Sequence, residues 1–338
     1  MINQPLVSIL IPTYNRDVLL LRAVKSVITQ VYPNIEVIIC DNCSTDQTEV
    51  IITELMKIDS RVSYFKNESN IGPVGNWIKC INHARGEYAY LLFSDDYLAD
   101  DCIQKHINIL HHDSQLAFTY SNLYGVNVDR VDYENTPVGK YESEKFLIGQ
   151  ILPEESSTSP GLPLDYPVTP ACALFRLKDL RDNLRISLPN ILNFDFSLKN
   201  HSGMGNDKCC FFLTALKYPS VYHINEVLAF SGPDGRNLST LFGGQENYFH
   251  FLAIQSCLAF DVQYQLRPAM EKAWKKRIAD FIAYLVINNL WSGIKISIKE
   301  LRSFIDLKVV INIVGFILKC SWMKYRYKFG VYRKKLIK

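Results

Sequence analysis

With 338 residues, 48% of them hydrophobic, and 37 basic side chains against 34 acidic, the chain can bury one large core or two smaller ones. That balance excludes a disordered protein. Nine cysteines lie scattered without a paired framework, and residues 1–5 lead directly into a strand-like run with no leader pattern. Both features predict a reduced, cytoplasmic setting. The C-x-x-C spacing of Cys40 and Cys43 has no second pair to complete a zinc site. Adjacent Cys209 and Cys210 read as core residues. The net charge of +3 is uneven: residues 307–338 hold nine Lys or Arg and no acid, leaving 28 basic against 34 acidic before them, a net of −6.

In chain order, residues 6–11, L-V-S-I-L-I, form a short β-branched run stopped by Pro12 and predict a buried first strand. The loop P-T-Y-N-R follows. Leu20, Val24, Val27 and Ile28 then recur at helical spacing. Residues 35–40, I-E-V-I-I-C, predict a second strand ending at Asp41, and D-N-C-S-T-D supplies turn and capping residues for a helix through Met56. Residues 62–65 predict a third strand. After K-N-E-S-N-I-G-P, Val74, Trp77, Ile78 and Ile81 share one helical face. Arg85-Gly86 ends that helix and opens the run Y-A-Y-L-L-F-S-D-D-Y-L, residues 88–98, read as a buried parallel strand that stops at the carboxylates Asp95 and Asp96.

Strands and helices alternating through short connections predict an α/β fold with a doubly wound, mostly parallel sheet. Its strand ends would place Asn15, Asp41 and Asp95 along one rim, where open α/β sheets bind ligands. Two acids at such a rim suit a hard divalent cation and, through it, a phosphate group; the alternative for the pair is a helix cap. No G-x-G-x-x-G follows the first strand and no G-x-x-x-x-G-K-[ST] occurs in the chain, so dinucleotide oxidoreductases and P-loop phosphotransferases lose their main signals.

The segments V-S-I-L-I-P-T-Y-N-R, S-V-I-T-Q-V-Y-P-N-I-E-V-I-I-C-D-N-C-S-T-D, N-I-G-P-V-G-N, A-R-G-E-Y and S-D-D, in this order across residues 7–98, resemble family 2 glycosyltransferases of GT-A fold. The resemblance thins but continues to about residue 240. It implies a nucleotide-sugar-binding and catalytic domain over residues 1–240, with its acceptor side in about 125–240, and leaves 241–338 as a helical C-terminal region. It implies that Pro12, Thr13, Tyr14, Asn15, Arg16 and Asp41 grip the nucleotide base and ribose. Asp41 then favours UDP, because a carboxylate accepts a hydrogen bond from the imide N–H of uracil and cytosine offers no ring N–H there. Asn70, Gly72 and Asn76 match the family's N-x-G segment, either as nucleotide contacts or as a helix start. In S-D-D, Asp96 is carried over as the ligand of Mn²⁺ or Mg²⁺ and Asp95 as a ribose or metal contact, while Ser94 replaces a frequent Asp.

By the same resemblance, Asp207, at the start of an apolar helix after H-S-G-M-G-N, is the base that takes the acceptor's proton during inverting transfer; the alternative is a helix cap. Asp195 between two phenylalanines is the second candidate for the base. No His stands in F-S-G-P-D-G-R-N-L-S, so a third protein ligand to the metal would have to come from Asp234, or Arg236 would instead hold the diphosphate. Asp46 reads as a cap. Residues 153–170 read as a long surface loop, residues 169–175 as a strand on the acceptor side, and 221–230 as a further strand. Beyond residue 245 the periodicity is helical. The apolar run 309–318 is too short to span a bilayer, and the final basic residues interleaved with aromatics suit a membrane interface, a packed helix being the alternative and a nucleic-acid contact the least fitting. The expected partners are therefore a nucleotide-sugar donor, a glycan or lipid-linked acceptor, and the cytoplasmic face of a membrane.

Overall fold

The computed structural model describes residues 4–124, 138–151, 169–184 and 206–232, all within one compact unit formed by residues 1–189 and 196–261. The first half alternates as expected: β1 (Val7–Thr13), α1 (Asp17–Ile28), β2 (Ile35–Asp41), α2 (Thr48–Ile58), β3 (Val62–Lys66), α3 (Pro73–His83) and β4 (Tyr88–Leu91). These four strands are parallel in the order β3-β2-β1-β4, with Val7 opposite both Ile35 and Tyr88. The chain winds outward from β1 to β3 and returns to β4 on the other side of β1. Connections therefore diverge between the carboxyl ends of β1 and β4, which opens a crevice there.

β1 and β2 are buried at every residue, as strands covered on both faces must be. Val7, Ile9 and Ile11 meet Leu20, Val24 and Val27 of α1 in the main core. The alternate side chains face the other way, where α3 packs over β1 and β2 with Val74, Trp77, Cys80 and Ile81 buried.

The strand read from Tyr88 does end before the two carboxylates. β4 stops at Leu91, a turn through Ser94 and Asp95 is closed by Asp96 N–H donating to Phe93 O at 3.0 Å, and Asp96–Leu98 (β5) leaves the parallel layer. Leu92 and Leu98, on either side of the turn, both reach the core. The remaining elements are α4 (Cys102–Leu110), β6 (Leu116–Tyr124), β7 (Gly139–Glu142), α5 (Ser143–Ile151), β8 (Ala173–Arg176), α6 (Leu177–Asn183), α7 (Asn206–Lys217) and β9 (Ser220–Ser231). Beyond β4 the sheet continues β8-β6-β9-β5, with β7 also paired to β9. β8 is antiparallel to β4 and β6, and β5 and β7 are antiparallel to β9. The run of parallel pairs β3-β2-β1-β4 is interrupted by β8, β6 and β9 pair parallel again beyond it, and the sheet as a whole is mixed. The strand expected over 169–175 opens instead as a 3₁₀ turn, Pro170–Cys172, because Thr169 accepts from Ala171 N–H and Pro170 fits the first helical position; extended pairing begins only at Ala173.

At the rim opposite the crevice, Glu36 is buried and collects Ser8 Oγ at 2.7 Å, Arg85 N–H at 2.7 Å and Gly86 N–H at 3.1 Å. A Cβ at Gly86 would lie 2.6 Å from Ser8 Oγ and 2.8 Å from Leu6 O, so the A-R-G-E-Y motif is the latch that admits β4 beside β1. The residues after 240, expected to be helical, and residues 153–168, expected to form a loop, lie outside the described residues.

Candidate active site

Pro12 and Thr13 finish β1 in buried positions, and the loop surfaces at Tyr14. Asn15 takes a φ of 52°, a left-handed conformation that asparagine tolerates better than most residues. Its N–H donates to Ser44 Oγ at 2.9 Å and its Oδ1 accepts from Thr45 N–H at 2.8 Å, which fastens the first loop to the turn after β2. That turn carries Cys43 at φ 69°. Asp41 at the end of β2 is fully buried. Its Oδ1 accepts from Ser44 N–H at 2.9 Å and from the Ser44 hydroxyl, and its Oδ2 accepts from Tyr64 Oη–H at 2.8 Å. A carboxylate oxygen offers two lone pairs, so one acceptor position remains, on Oδ2. Asp46 acts as a cap: Oδ1 accepts from Thr48 N–H at 3.0 Å and Oδ2 from Asp17 N–H at 3.2 Å, joining the starts of α2 and α1.

The N-x-G segment closes over this turn through an amide cluster. Asn76 Nδ2 donates to Cys40 O at 2.8 Å and to Thr13 O at 3.4 Å, tying together the carboxyl ends of β1 and β2. Asn67 Nδ2 donates to Asn42 Oδ1 and Asn76 Oδ1, and Asn42 Nδ2 donates to Asn70 Oδ1 at 2.8 Å. Asn70 Oδ1 also accepts Gly72 N–H at 2.9 Å. Gly72 adopts φ 79° immediately before Pro73 opens α3, so glycine is needed there for its conformation. Asn76 thus spends both ends of its amide, and Asn70 its carbonyl oxygen, on building the rim.

The S-D-D turn meets the first loop directly. Arg16 Nη1 lies 3.1 Å from Asp95 Oδ2, both side chains being less than one-fifth exposed. Arg22 of α1 donates to the Asp95 carbonyl at 2.7 Å, and its guanidinium lies 4.5 Å from the centroid of the Tyr97 ring. Asp96 is 4% exposed. Burial, and then the neighbouring Asp95 carboxylate, push its pKa well above the usual range, while the Ser231 hydroxyl, the Arg22 charge and Gly232 N–H act in the opposite direction. A buried carboxylate beside a second acid gains from a hard cation, and two oxygen donors suit Mn²⁺ or Mg²⁺ completed by phosphate oxygens and water. The donor set therefore fits such an ion. Among the described residues no group of three or more His, Cys, Asp or Glu side chains is arranged to hold a metal by itself.

Asp207 occupies the first turn of α7 and is half-buried. Asp195, Asp234 and Arg236 lie outside the described residues. Cys40, Cys209 and Cys210 are buried. Sequence reasoning missed Asn42, Tyr64, Asn67 and Arg22. Buried amides look like ordinary loop polarity, but Arg22, Ser26 and Gln30 recur at i, i+4 and i+8, a polar stripe that could have been read beside the apolar one.

Among the described residues no helix is long and apolar enough to cross a membrane. The chain is 39% identical over 119 residues to the UDP-Glc:alpha-D-GlcNAc-diphosphoundecaprenol beta-1,3-glucosyltransferase WfaP of Escherichia coli, covering 35% of this chain and 46% of that one. It is 39% identical over 95 residues to the GalNAc(5)-diNAcBac-PP-undecaprenol beta-1,3-glucosyltransferase of Campylobacter jejuni, covering 28% and 31%. The chain spans about half the length, or less, of the curated relatives it matches. Among solved structures, S. aureus TarS 1-349 in complex with UDP superposes with a TM-score of 0.51 at 17% identity, over 82% of this chain and 80% of that one. The mannosyltransferase PcManGT from Pyrobaculum calidifontis, in complex with GDP-Man and Mn²⁺, gives 0.50 at 14% identity, over 94% and 88%. Both are likenesses of fold, the GT-A type of α/β architecture. The family model described as glycosyl transferase family 2 matches residues 8–182, more than half of the sequence, and the chain belongs to that family.

Proposed function

We propose that the chain transfers a sugar from a nucleotide donor, a UDP-sugar by preference, to a glycan or lipid-linked acceptor with inversion at the anomeric carbon, in the assembly of a cell-surface polysaccharide or oligosaccharide. The observation that carries the reading is the Arg16–Asp95 pair, which joins the first loop to the S-D-D turn across the crevice between β1 and β4. In this reading Pro12, Thr13, Tyr14 and Asn15 cradle the nucleoside, and Asp41 accepts the imide N–H at its remaining Oδ2 position, beside Tyr64. Asn70, Gly72 and Asn76 hold that end of the rim in shape. Asp96, with Asp95, would hold Mn²⁺ or Mg²⁺, which supplies Lewis-acid stabilisation to the departing diphosphate when bound.

Asp207 is the proposed base. A carboxylate at a helix start can take the acceptor hydroxyl's proton as that oxygen attacks the anomeric carbon from the face opposite the diphosphate. The relatives named above act, by their names, on diphosphoundecaprenol-linked substrates. A basic, aromatic-rich tail on the cytoplasmic face of a membrane would bring this chain to an acceptor of that kind. The reading is tested by measuring nucleoside diphosphate release from UDP-, GDP- and dTDP-sugars with a lipid-linked acceptor and Mn²⁺. Release from a UDP-sugar that falls by about a thousandfold in Asp207→Asn supports it. A native chain that binds UDP-sugars but never turns over would mean a nucleotide-sugar-binding protein without catalysis. Liposome binding unchanged by deletion of residues 307–338 would remove the membrane role from the tail.

A further inference from the structure

One face of α1 forms a ladder of polar contacts to the segment that carries the two acids. Arg22 Nη2 donates to Asp95 O at 2.7 Å, Ser26 Oγ accepts from Leu98 N–H at 3.1 Å, and Gln30 Nε2 donates to Ala99 O at 2.6 Å. Gln30 Oε1 also accepts from Ile103 N–H at 3.0 Å, at the start of α4. Arg22 and Ser26 stand four residues apart on one side of α1, and Gln30 follows two residues past its end. They take backbone groups along residues 95–103 that have left the parallel sheet and cannot all be satisfied by strand pairing.

The upper rung is the most constrained. A Cβ at Gly232 would overlap both Arg22 Nη2 and the Asp95 carbonyl, so this end of β9 must be glycine for the guanidinium to reach the turn. The guanidinium is sandwiched further by Tyr97, whose ring stacks on Phe230 at 4.9 Å. Arg22 Nε is buried with no hydrogen-bond partner among the described residues. Leaving a buried donor unpaired is costly, and an apolar side chain of similar length would avoid that cost while still covering Tyr97.

We infer that Arg22 is a positioning residue for the sugar-nucleotide site: with Ser26 and Gln30 it fixes the Ser94–Asp96 turn so that Asp96 is presented to the cation and diphosphate. The inference rests on the glycosyltransferase reading above. It adds a function to α1, whose apolar face alone would suffice for the fold. Groups behind metal-binding carboxylates characteristically cost ten- to a hundredfold in metal affinity when removed.

The test uses the full chain with Arg22→Met and Arg22→Lys. Three quantities are compared with native protein: amide exchange over residues 94–99, Mn²⁺ bound in the presence of UDP, read from the loss of the free-ion EPR signal, and KM and kcat for a UDP-sugar. The expected result for Arg22→Met is faster exchange confined to that segment, an Mn²⁺ dissociation constant raised about tenfold and a raised KM, with the thermal midpoint little changed. Arg22→Lys should recover part of the Mn²⁺ affinity. Exchange and Mn²⁺ affinity equal to native, or a lowered thermal midpoint with unchanged Mn²⁺ affinity, overturns the inference. Native protein that neither binds Mn²⁺ nor turns over, yet loses protection over 94–99 in Arg22→Met, instead removes the glycosyltransferase reading and keeps the ladder as the turn's support.

Discussion

Arg16 Nη1 and Asp95 Oδ2, separated by 79 positions in sequence, stand 3.1 Å apart. The contact makes the first loop and the acidic turn one object. A partly exposed pair of this kind contributes at most about 1 kcal/mol to stability, so its consequence is positional. Arg16→Ala should leave the thermal midpoint within a few degrees of native and raise KM for the nucleotide sugar by about tenfold, since misplacing a binding group by a fraction of an ångström is enough for that. A steady-state titration beside a melting curve checks it. A large loss of stability with unchanged KM would mean that the pair only holds the fold.

Tyr64 shares Oδ2 of Asp41 with the proposed base contact. Tyr64→Phe removes the hydroxyl and leaves a buried carboxylate short of one donor, at about 1–3 kcal/mol. The variant should melt earlier than native in buffer, and UDP should raise its midpoint by more than it raises the native one, because the imide N–H then restores the missing bond. CDP, which has no such N–H, should not show the gain. Equal responses to UDP and CDP would remove Asp41 from base recognition.

Gly86 tests the far rim. A Cβ there would lie 2.8 Å from Leu6 O and Ser8 N, backbone atoms that cannot turn aside. Gly86→Ala should destabilise the fold by about 1–3 kcal/mol while leaving the Mn²⁺ concentration dependence of the folded fraction unchanged. Denaturant unfolding and a metal titration separate the two effects.

His106 of α4 is fully buried against β6, with Nδ1 2.8 Å from Thr119 Oγ1 and Nε2 without a partner among the described residues. Burial lowers its pKa to about 3, against a smaller opposing contribution from Thr119. The folded state therefore favours the neutral ring. Its contribution to stability is complete above the unfolded value of about 6.5 and is lost as pH falls from there toward 3, at up to about 1.4 kcal/mol per pH unit. Urea unfolding at pH 7, 6 and 5 should show that slope in the native chain and a shallower one in His106→Leu. Parallel slopes would place the titrating group elsewhere.

β1 and β2 were legible because each is buried on both faces and reads as a continuous β-branched run. The rim motifs were legible because they recur in order. The end of β4 ahead of Asp95 and Asp96 was legible for its abrupt change of polarity, but β5 was not, since three residues are too few to show a period. The reversal of the sheet beyond β4 was hidden for a related reason: β8 is a four-residue strand that pairs with β4 and β6 from far along the chain, and nothing local sets its direction. Within the site, Asp41, Asp95 and Asp96 could be named from sequence, but what holds them could not. Ser44 and Tyr64 hold Asp41, and Arg16 and Arg22 hold Asp95, through contacts that span 3 to 79 residues, and only folding brings the distant partners together.

The central claim is that Asp96 holds the cation for sugar transfer at the crevice between β1 and β4. The most direct measurement is UDP release from a UDP-sugar across a Mn²⁺ titration, for native chain and Asp96→Ala, each checked for folding by its melting curve. Release by the native chain should depend on Mn²⁺, and release by the folded variant should be lower by about a hundredfold or more and no longer rise with Mn²⁺. A folded Asp96→Ala chain that releases UDP at the native rate with the native Mn²⁺ dependence would contradict it.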